Sequence, residues 1–200
     1  MRGNARSPNA RDVRLLALDV DGVLTDGGLH YLPGGQEAKV FHVRDGLAIR
    51  LAQAAGIVVA VLTVRRSEMV ERRARELGVE EIHVGIAGKW SALAEILERR
   101  GIEPGEACYV GDDLVDLPVM ERVGWSVAVA DAAPEVLARA DWRTRALGGH
   151  GAVREAVETI LKARGEWEDV VGRYLAALES GAPYEGEDLF WKKVGHGEEA

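Results

Sequence analysis

This 200-residue chain lacks paired cysteines, an excess of basic residues and any long apolar run. The single cysteine, Cys108, excludes an intramolecular disulfide framework and a metal site built from several cysteines. The net charge of −8 argues against general affinity for nucleic acid or for an anionic membrane. No apolar stretch is long enough to span a membrane, and the N-terminus lacks the apolar core of a signal peptide. We therefore expect a cytoplasmic protein.

Short apolar runs alternate with helical patterns over most of the chain. The strand candidates are Val13–Val20, Ile57–Leu62, Glu81–Val84, Ala107–Val110 and Ser126–Val129. The helix candidates run from a cap at Asp45 to Gly56, from a cap at Ser67 to Gly78, from Trp90 to Gly101, from Pro134 onward, and over 151–164. This alternation predicts a parallel sheet that is covered by helices on both faces.

Composition divides the chain into three parts. Residues 1–12 are polar and contain Gly, Pro and Asn, which indicates a flexible N-terminal arm. Residues 13–164 hold the alternating pattern and predict one domain with a sizeable core. Residues 165–200 predict a helical extension followed by a tail.

The most informative segment is 15–26, in which an apolar run ends in Asp19 and Asp21. Residues two apart on a strand share a face, and two carboxylates on one face repel each other unless a cation, a shared proton or water stabilises them. Mg²⁺ is the natural cation, because it binds one or two carboxylates together with water and phosphate oxygens. The segment therefore predicts a Mg²⁺ site at the end of a buried strand.

Two other kinds of segment share parts of this pattern. A solvated turn also often carries Asp-x-Asp-Gly after a strand. An EF-hand calcium loop does not fit, because Val23, Leu24 and His30 occupy the positions that need an oxygen ligand, a glycine and a glutamate.

A β-hairpin is predicted directly after the acidic motif. The runs Thr25–Tyr31 and Ala38–Val43 flank Pro33-Gly34-Gly35. Such a flap would stand over the carboxyl ends of the strands, where open α/β sheets bind ligands.

Three further groups of residues fall at the same edge of the predicted sheet. Thr63, Arg65 and Arg66 follow the second strand, and a hydroxyl or a guanidinium group can bind a phosphate oxygen. Lys89 follows a glycine-containing loop at the start of a helix, and Asp112 follows a later strand as a third carboxylate. Taken singly, Thr63, the two arginines and Lys89 also fit an ordinary solvated surface.

The combination resembles a known superfamily. The acidic motif, Thr63, Lys89 and Gly111–Asp116 match the four motifs of the haloacid dehalogenase superfamily in order and approximate spacing. Further segments are similar to the 3-deoxy-D-manno-octulosonate 8-phosphate (KDO 8-phosphate) phosphatase family of lipopolysaccharide precursor synthesis. These segments are Phe41–Gly46, Arg65–Glu68, Gly111–Pro118 and Gly148–Glu155.

The resemblance covers residues 13–163 and implies a Rossmann-like three-layer sandwich. Its central sheet would be mostly parallel, with a hairpin flap after the first strand and no large cap domain. The sequence agrees, because between Asp21 and Thr63 there is room only for the hairpin and one helix.

The resemblance also implies a role for each motif residue. Asp19 would attack phosphorus and form an aspartyl-phosphate, and Asp21 would act first as general acid and then as general base. Mg²⁺ would be held by Asp19, by the backbone carbonyl of Asp21 and by Asp112. Thr63 and Lys89 would hold the oxygens of the transferring phosphoryl group.

Two more acids follow Asp112 in the fourth motif. The resemblance implies that Asp113 and Asp116 orient Lys89 or the water molecules of the metal.

Enclosure of the open site would come from assembly into a homotetramer. In the family, a neighbouring subunit and the segment Gly148–Arg154 close the pocket. This implies that Arg44, Arg65, Arg66 and His150 bind the carboxylate and hydroxyls of a sugar-acid substrate. His150 could equally be a solvated residue of a glycine-rich loop.

The chain departs from the family pattern at two places. Val64 stands where the family usually has glycine, and residues 165–200 extend past the usual end of the family. Both departures bear on the substrate more than on the chemistry.

Three alternative functions stay open at this point. A phosphatase for a nine-carbon sugar-acid 9-phosphate is the close alternative. A phospho-receiver signalling module also carries an acidic cluster, a threonine and a lysine, but the second acid, the hairpin and the length count against it. An inactive oligomeric binding module would not need the five motif residues.

The C-terminal extension carries an apolar stripe. Apolar residues at spacings of three and four predict an amphipathic helix over 166–179. The stripe consists of Trp167, Val170, Val171, Tyr174, Leu175 and Leu178. We expect residues 165–180 to pack on the body or on an adjacent subunit, Leu189–Trp191 to add an anchor, and the last few residues to be disordered.

Overall fold

A six-stranded parallel sheet forms the centre of the computed structural model, which describes residues 9–181. The strands are β1 Leu15–Leu18, β4 Val58–Thr63, β5 Glu81–Val84, β6 Ala107–Gly111, β7 Trp125–Ala128 and β8 Trp142–Arg143. Their order across the sheet is β5-β4-β1-β6-β7-β8, and all five neighbouring pairs are parallel. A separate antiparallel hairpin consists of β2 His30–Tyr31 and β3 Glu37–Ala38. The α/β fold class predicted from the sequence is confirmed.

Seven α-helices lie within the described residues. They are α1 Val43–Ala54, α2 Glu68–Glu76, α3 Lys89–Arg100, α4 Leu117–Met120, α5 Pro134–Leu137, α6 Ala152–Arg164 and α7 Trp167–Ser180. None of these seven helices has both the length and the apolar content that a membrane span requires.

The central strands are buried along their whole length, which explains their unbroken apolar sequences. All four residues of β1 are fully buried, as are all five of β6. Strands that are covered on both faces read as continuous apolar runs rather than as alternating patterns. Cys108 lies in β6, and burial raises the pKa of its thiol, so it belongs to the core as an unreactive residue.

The chain path places the helices in two layers. From β1 the chain passes through α1 to β4 and through α2 to β5, and then crosses back through α3 to β6 on the other side of β1. Right-handed crossovers put α1 and α2 on one face and α3 on the other. The helix α6 returns to pack against α1, while α3 packs against α4. The strand order reverses at β1, and such a switch point is where open α/β sheets bind ligands.

Three local predictions need correction. Asp45 does not cap α1: His42 is the N-cap residue, and its side chain accepts a hydrogen bond from the amide of Arg44. Asp45 is instead buried, and it accepts hydrogen bonds from the amides of Gly151 and Arg154 at the start of α6. A carboxylate suits that place, because helix N-termini carry free N–H groups and partial positive charge.

The second correction concerns Ser67, which is the N-cap residue of α2 but makes no side-chain cap hydrogen bond. Its hydroxyl donates to Glu37 at 2.9 Å instead. The third concerns the hairpin, whose strands are only two residues long, so the predicted runs Thr25–Tyr31 and Ala38–Val43 were too long. The short strand β8 was missed, because two residues give no pattern that can be recognised in the sequence.

The C-terminal helix α7 packs on the body through its first two turns. Val170 is buried, and Trp167 and Tyr174 are half-buried against the core. Leu175 and Leu178 are more than half exposed. The predicted helix and its contact with the body are therefore present, while Leu189–Trp191 and the end of the chain lie outside the described residues.

Candidate functional site

The carboxyl ends of β4, β1 and β6 bring three of the sequence-predicted site residues to one edge of the sheet. Asp19 directly follows β1, Thr63 ends β4, and Asp112 directly follows β6. The register aligns Leu18 with Val61 on one side and with Val110 on the other, so the three polar positions lie at about the same height.

A buried ion-pair chain links Asp19 to two other residues. The Lys89 ammonium lies 2.7 Å from Oδ1 of Asp19 and 2.6 Å from Oδ1 of Asp116. All three residues are buried, with Lys89 only 3% exposed. Lys89 is therefore not a solvated surface lysine, and its position at the first residue of α3 places it between two acids that it can neutralise.

Asp116 is held by more partners than Lys89 alone. The Tyr109 hydroxyl donates to its Oδ1 at 2.6 Å, and the amides of Asp112 and Asp113 donate to its Oδ2 at 2.9 and 3.2 Å. A carboxylate that accepts four hydrogen bonds, one of them from an ammonium group, has little capacity left for a further ligand. We infer that Asp116 fixes Lys89 and the turn after β6, which is the positioning role that the sequence predicts for it.

Burial and like charge raise the pKa values of the two remaining acids. Desolvation, followed by the charge of Asp116, raises the pKa of Asp19 to about 6. Desolvation, followed by the charges of Asp19 and Asp116, raises the pKa of Asp112 to about 8. Burial alone would lower the pKa of Lys89, but Asp19 and Asp116 outweigh it, so Lys89 stays protonated. The cluster therefore carries a surplus of negative charge, which the buried ammonium group of Lys89 offsets in part.

Asp21 lies beside this cluster under the hairpin. Its Oδ1 contacts the ammonium of Lys39, and its Oδ2 lies 3.4 Å from Nε of Arg65. Glu37 in β3 accepts hydrogen bonds from Arg65 at 3.1 Å and from Ser67 at 2.9 Å. These contacts tie the hairpin to the loop after β4 and cover Asp21.

Thr63 is buried and its hydroxyl accepts a hydrogen bond from the amide of Arg65 at 3.2 Å. The hydroxyl hydrogen of Thr63 is left to donate elsewhere. Next to it, Val64 is 44% exposed. The turn after β4 thus presents a hydroxyl, an apolar side chain and the half-buried guanidinium group of Arg65.

The other sequence-predicted residues lie further out. Arg44, Arg66 and His150 are exposed, and Nδ1 of His150 lies 2.8 Å from the carbonyl oxygen of Gly148. Asp113 is also exposed, and its carboxylate accepts the amide of Leu114 at 2.7 Å. The structure does not bring Asp113 into contact with Lys89.

Comparison with known proteins agrees with this geometry. A family model described as haloacid dehalogenase-like hydrolase matches residues 81–154. The 3-deoxy-D-manno-octulosonate 8-phosphate phosphatase KdsC of Escherichia coli strain K12 is 48% identical to this chain over 164 residues, which make up 82% of this chain and 87% of that protein.

Solved structures give the same result. The crystal structure of 3-deoxy-D-manno-octulosonate 8-phosphate phosphatase from Yersinia pestis shares 45% sequence identity, covers 80% of this chain and 86% of that chain, and has a TM-score of 0.78. The corresponding protein from Moraxella catarrhalis, in complex with a magnesium ion, a phosphate ion and a KDO molecule, shares 39% identity at a TM-score of 0.80, with 82% of this chain and 95% of that chain covered.

The chain belongs to the KDO 8-phosphate phosphatase family of the haloacid dehalogenase superfamily. The overall similarity thus confirms the family that the motifs resemble.

Members of this family are expected to use Mg²⁺, and the residues present here fit that ion. One oxygen from each of Asp19, Asp112 and Asp116 lies within 4.8 Å of the others, and Asp112 Oδ1 is buried with no hydrogen-bond partner among the described residues. A Cβ atom at Gly22 would lie 2.1 Å from Asp112 Oδ2. Any larger residue at this position would therefore clash with the Asp112 carboxylate. An oxygen-only donor set with surplus negative charge suits a hard divalent cation.

Three residues near this family's motifs were missed in the sequence. Lys39 contacts Asp21, and Tyr109 donates a hydrogen bond to Asp116. Asp45 accepts a hydrogen bond from the amide of Gly151 at the start of α6. Lys39 gave a weak signal as a lysine in the predicted flap. Tyr109 sits among apolar residues and reads as core, and nothing in the local sequence pairs Asp45 with residues more than 100 positions away.

Proposed function

We propose that this protein is a Mg²⁺-dependent phosphatase that hydrolyses KDO 8-phosphate to KDO and phosphate. The observation that carries the proposal is the cluster of buried Asp19 and Lys89 with partly buried Asp112 at the switch point of the sheet, in a chain 48% identical to KdsC. This chemistry is a phosphoric monoester hydrolysis.

Asp19 is the proposed nucleophile. Its carboxylate would attack phosphorus, the new Oδ–P bond would form as the bond to the sugar oxygen breaks, and an aspartyl-phosphate would result. The Lys89 ammonium holds Oδ1 of Asp19 at 2.7 Å and thereby orients the carboxylate. Water would then attack phosphorus and release Asp19.

Asp21 is the proposed general acid and base. It would give a proton to the leaving sugar oxygen and then take one from the attacking water. Thr63 and Lys89 would bind the oxygens of the phosphoryl group, because each has an unused hydrogen-bond donor. The Thr63 hydroxyl accepts from Arg65 and can still donate its hydrogen. The Lys89 ammonium group contacts Asp19 and Asp116 and has a third N–H.

Asp19, the backbone carbonyl of Asp21, and Asp112 would hold the Mg²⁺ ion. When bound, this ion supplies positive charge that offsets the repulsion between the anionic phosphate and the anionic nucleophile.

Substrate binding outside the phosphate is assigned to three arginines and one histidine. Arg44, Arg65, Arg66 and His150 would bind the carboxylate and hydroxyls of the sugar. Arg65 is half-buried, and its Nε lies 3.4 Å from Oδ2 of Asp21, which supports its inclusion in this group. The exposure of Arg44, Arg66 and His150 supports a homotetramer in which a neighbouring subunit completes the enclosure of the site. We expect the protein to act in the cytoplasm.

The test is the ratio of kcat/KM for KDO 8-phosphate to kcat/KM for a nine-carbon sugar-acid 9-phosphate, with Mg²⁺ present. We expect the eight-carbon substrate to be preferred by at least about tenfold, an energy difference of about 1.4 kcal/mol. Preference for the nine-carbon substrate would assign the protein to that activity. Release of phosphate from neither ester would reject a sugar-acid phosphatase, as expected of a phospho-receiver or an inactive binding module.

A further inference from the structure

Lys39 has a buried side chain, and its only partners among the described residues are acids at the site. It directly follows β3, and its side chain is 1% exposed. Its ammonium contacts Oδ1 of Asp21 and lies 3.6 Å from Oε1 of Glu37. Lysine is rarely buried unless it is paired, so the position of Lys39 depends on Asp21 and Glu37.

The contact with Lys39 makes the two oxygens of Asp21 different. Oδ1 accepts from the ammonium group, which has donors only and no acceptor. Oδ2 is buried and has no hydrogen-bond partner among the described residues, with Arg65 Nε at 3.4 Å. Oδ1 is thereby occupied by Lys39, and Oδ2 is the oxygen of Asp21 that is left without a hydrogen-bond partner among the described residues.

The hairpin that presents Lys39 is itself fixed. Glu37, two residues before Lys39, accepts hydrogen bonds from Arg65 and from Ser67 on the other side of the site. The Ser67 hydroxyl makes this hydrogen bond and does not cap α2. The backbone next to Lys39 is therefore anchored to the loop after β4, which limits the positions that the ammonium group can take.

We propose that Lys39 is a positioning residue. It holds Oδ1 of Asp21, so that Oδ2 is the oxygen left to take part in the proposed proton transfer. The inference rests on the proposed function. In the first step the Oδ2–H bond breaks and the proton passes to the sugar oxygen, while the phosphorus–sugar oxygen bond breaks and the bond from Asp19 to phosphorus forms. In the second step a water proton passes to Oδ2 as the water oxygen binds phosphorus and Asp19 leaves.

The proposal predicts a dependence on the leaving group. A sugar alkoxide is a poor leaving group and needs the proton, whereas p-nitrophenolate leaves without one. The variant Lys39→Met keeps the length of the side chain and removes the ammonium group. We expect it to lower kcat for KDO 8-phosphate by about 10²-fold and kcat for p-nitrophenyl phosphate by less than about fivefold.

The matched control is Lys162→Met, which removes an exposed lysine near the C-terminal end of α6 that pairs with Glu158 and not with Asp21. It should change neither rate. Circular dichroism and thermal melting establish that each variant is folded, and if Lys39→Met does not fold, Lys39→Gln is assayed under the same criteria. In an Asp21→Asn background the Lys39 substitution should cause no further loss on the sugar ester, because the two residues act as a unit.

Equal losses on the two esters, or losses that add to those of Asp21→Asn, would overturn the role of Lys39. Failure of the proposed function would give a different result, because the wild-type protein itself would then release no phosphate from KDO 8-phosphate.

Discussion

Replacing Asp112 by asparagine should stabilise the metal-free protein while abolishing its response to Mg²⁺. Asp112 lies partly buried beside Asp19 and Asp116, and one buried ammonium group, Lys89, faces these three acids. Its Oδ1 has no hydrogen-bond partner among the described residues. Asparagine has the same shape, removes one negative charge, and can donate a hydrogen bond toward Asp19.

The magnitude follows from the raised pKa of Asp112, which burial and the charges of Asp19 and Asp116 place at about 8. A folded-state pKa above that of the unfolded chain means that ionisation of Asp112 destabilises the fold. The metal-free protein should therefore lose stability as pH rises from about 4 toward 8. We expect Asp112→Asn to recover about 2 kcal/mol at pH 8, after allowance for the exposed part of the side chain.

The assay is thermal unfolding in chelator and in excess Mg²⁺, at pH 4 and pH 8. For a chain of this size about 2 kcal/mol corresponds to roughly 4–8 °C in Tm. In chelator the gain of the variant should be present at pH 8 and largely absent at pH 4, where the folded-state carboxyl group is protonated and the unfolded one is only partly ionised. Mg²⁺ at about 100 times its Kd should stabilise the wild-type protein by about 2.7 kcal/mol and the variant by much less.

The control is Asp169→Asn, which removes one exposed negative charge on α7, outside the cluster. It should leave the Mg²⁺ response unchanged. Destabilisation of the metal-free protein by Asp112→Asn at pH 8, or a full Mg²⁺ response in this variant, would refute the assignment of Asp112 to a strained cation site.

Three further predictions concern contacts that stabilise the fold. Tyr109→Phe should cost about 1–2 kcal/mol in urea unfolding, because it removes a buried donor to Asp116, and no loss would contradict that role. Burial alone would raise the pKa of Glu81, but hydrogen bonds from Arg99 and Arg100 outweigh it and lower the pKa. The stabilisation is thus complete above about pH 5 and is lost as pH falls through the folded-state pKa, so Glu81→Gln should be destabilising at pH 7 and progressively less so as the pH falls through that pKa. Trp167→Ala should lower stability by about 1–2 kcal/mol if α7 stabilises the body, and an unchanged Tm would show that it does not.

Three of the motif residues could be located from the sequence because each lies at the carboxyl end of a strand or directly after it. Continuous apolar runs revealed β1, β4 and β6, and parallel strands deliver the residues after them to one edge. Asp19, Thr63 and Asp112 were therefore expected to meet before any contact between them was known.

What the sequence did not reveal depends on contacts between distant segments. Asp45 has the sequence features of a cap for its own helix, yet it binds backbone amides 106 and 109 residues away. Lys39 lies in a hairpin that reads as exposed, and only the packing of that hairpin over Asp21 buries it. Local patterns record the period and ends of an element, and they do not record which distant element covers it.

The central claim is tested most directly by phosphate release from KDO 8-phosphate, measured for the wild-type protein and for Asp19→Asn, each with Mg²⁺ and with chelator. Asp19→Asn removes the attacking charge with little change in volume, so it should fold and yet lack turnover under both conditions. The wild-type protein should be active with Mg²⁺ and inactive in chelator, and activity should return when Mg²⁺ is restored. Substantial turnover by Asp19→Asn, or full wild-type activity in chelator, would contradict the account.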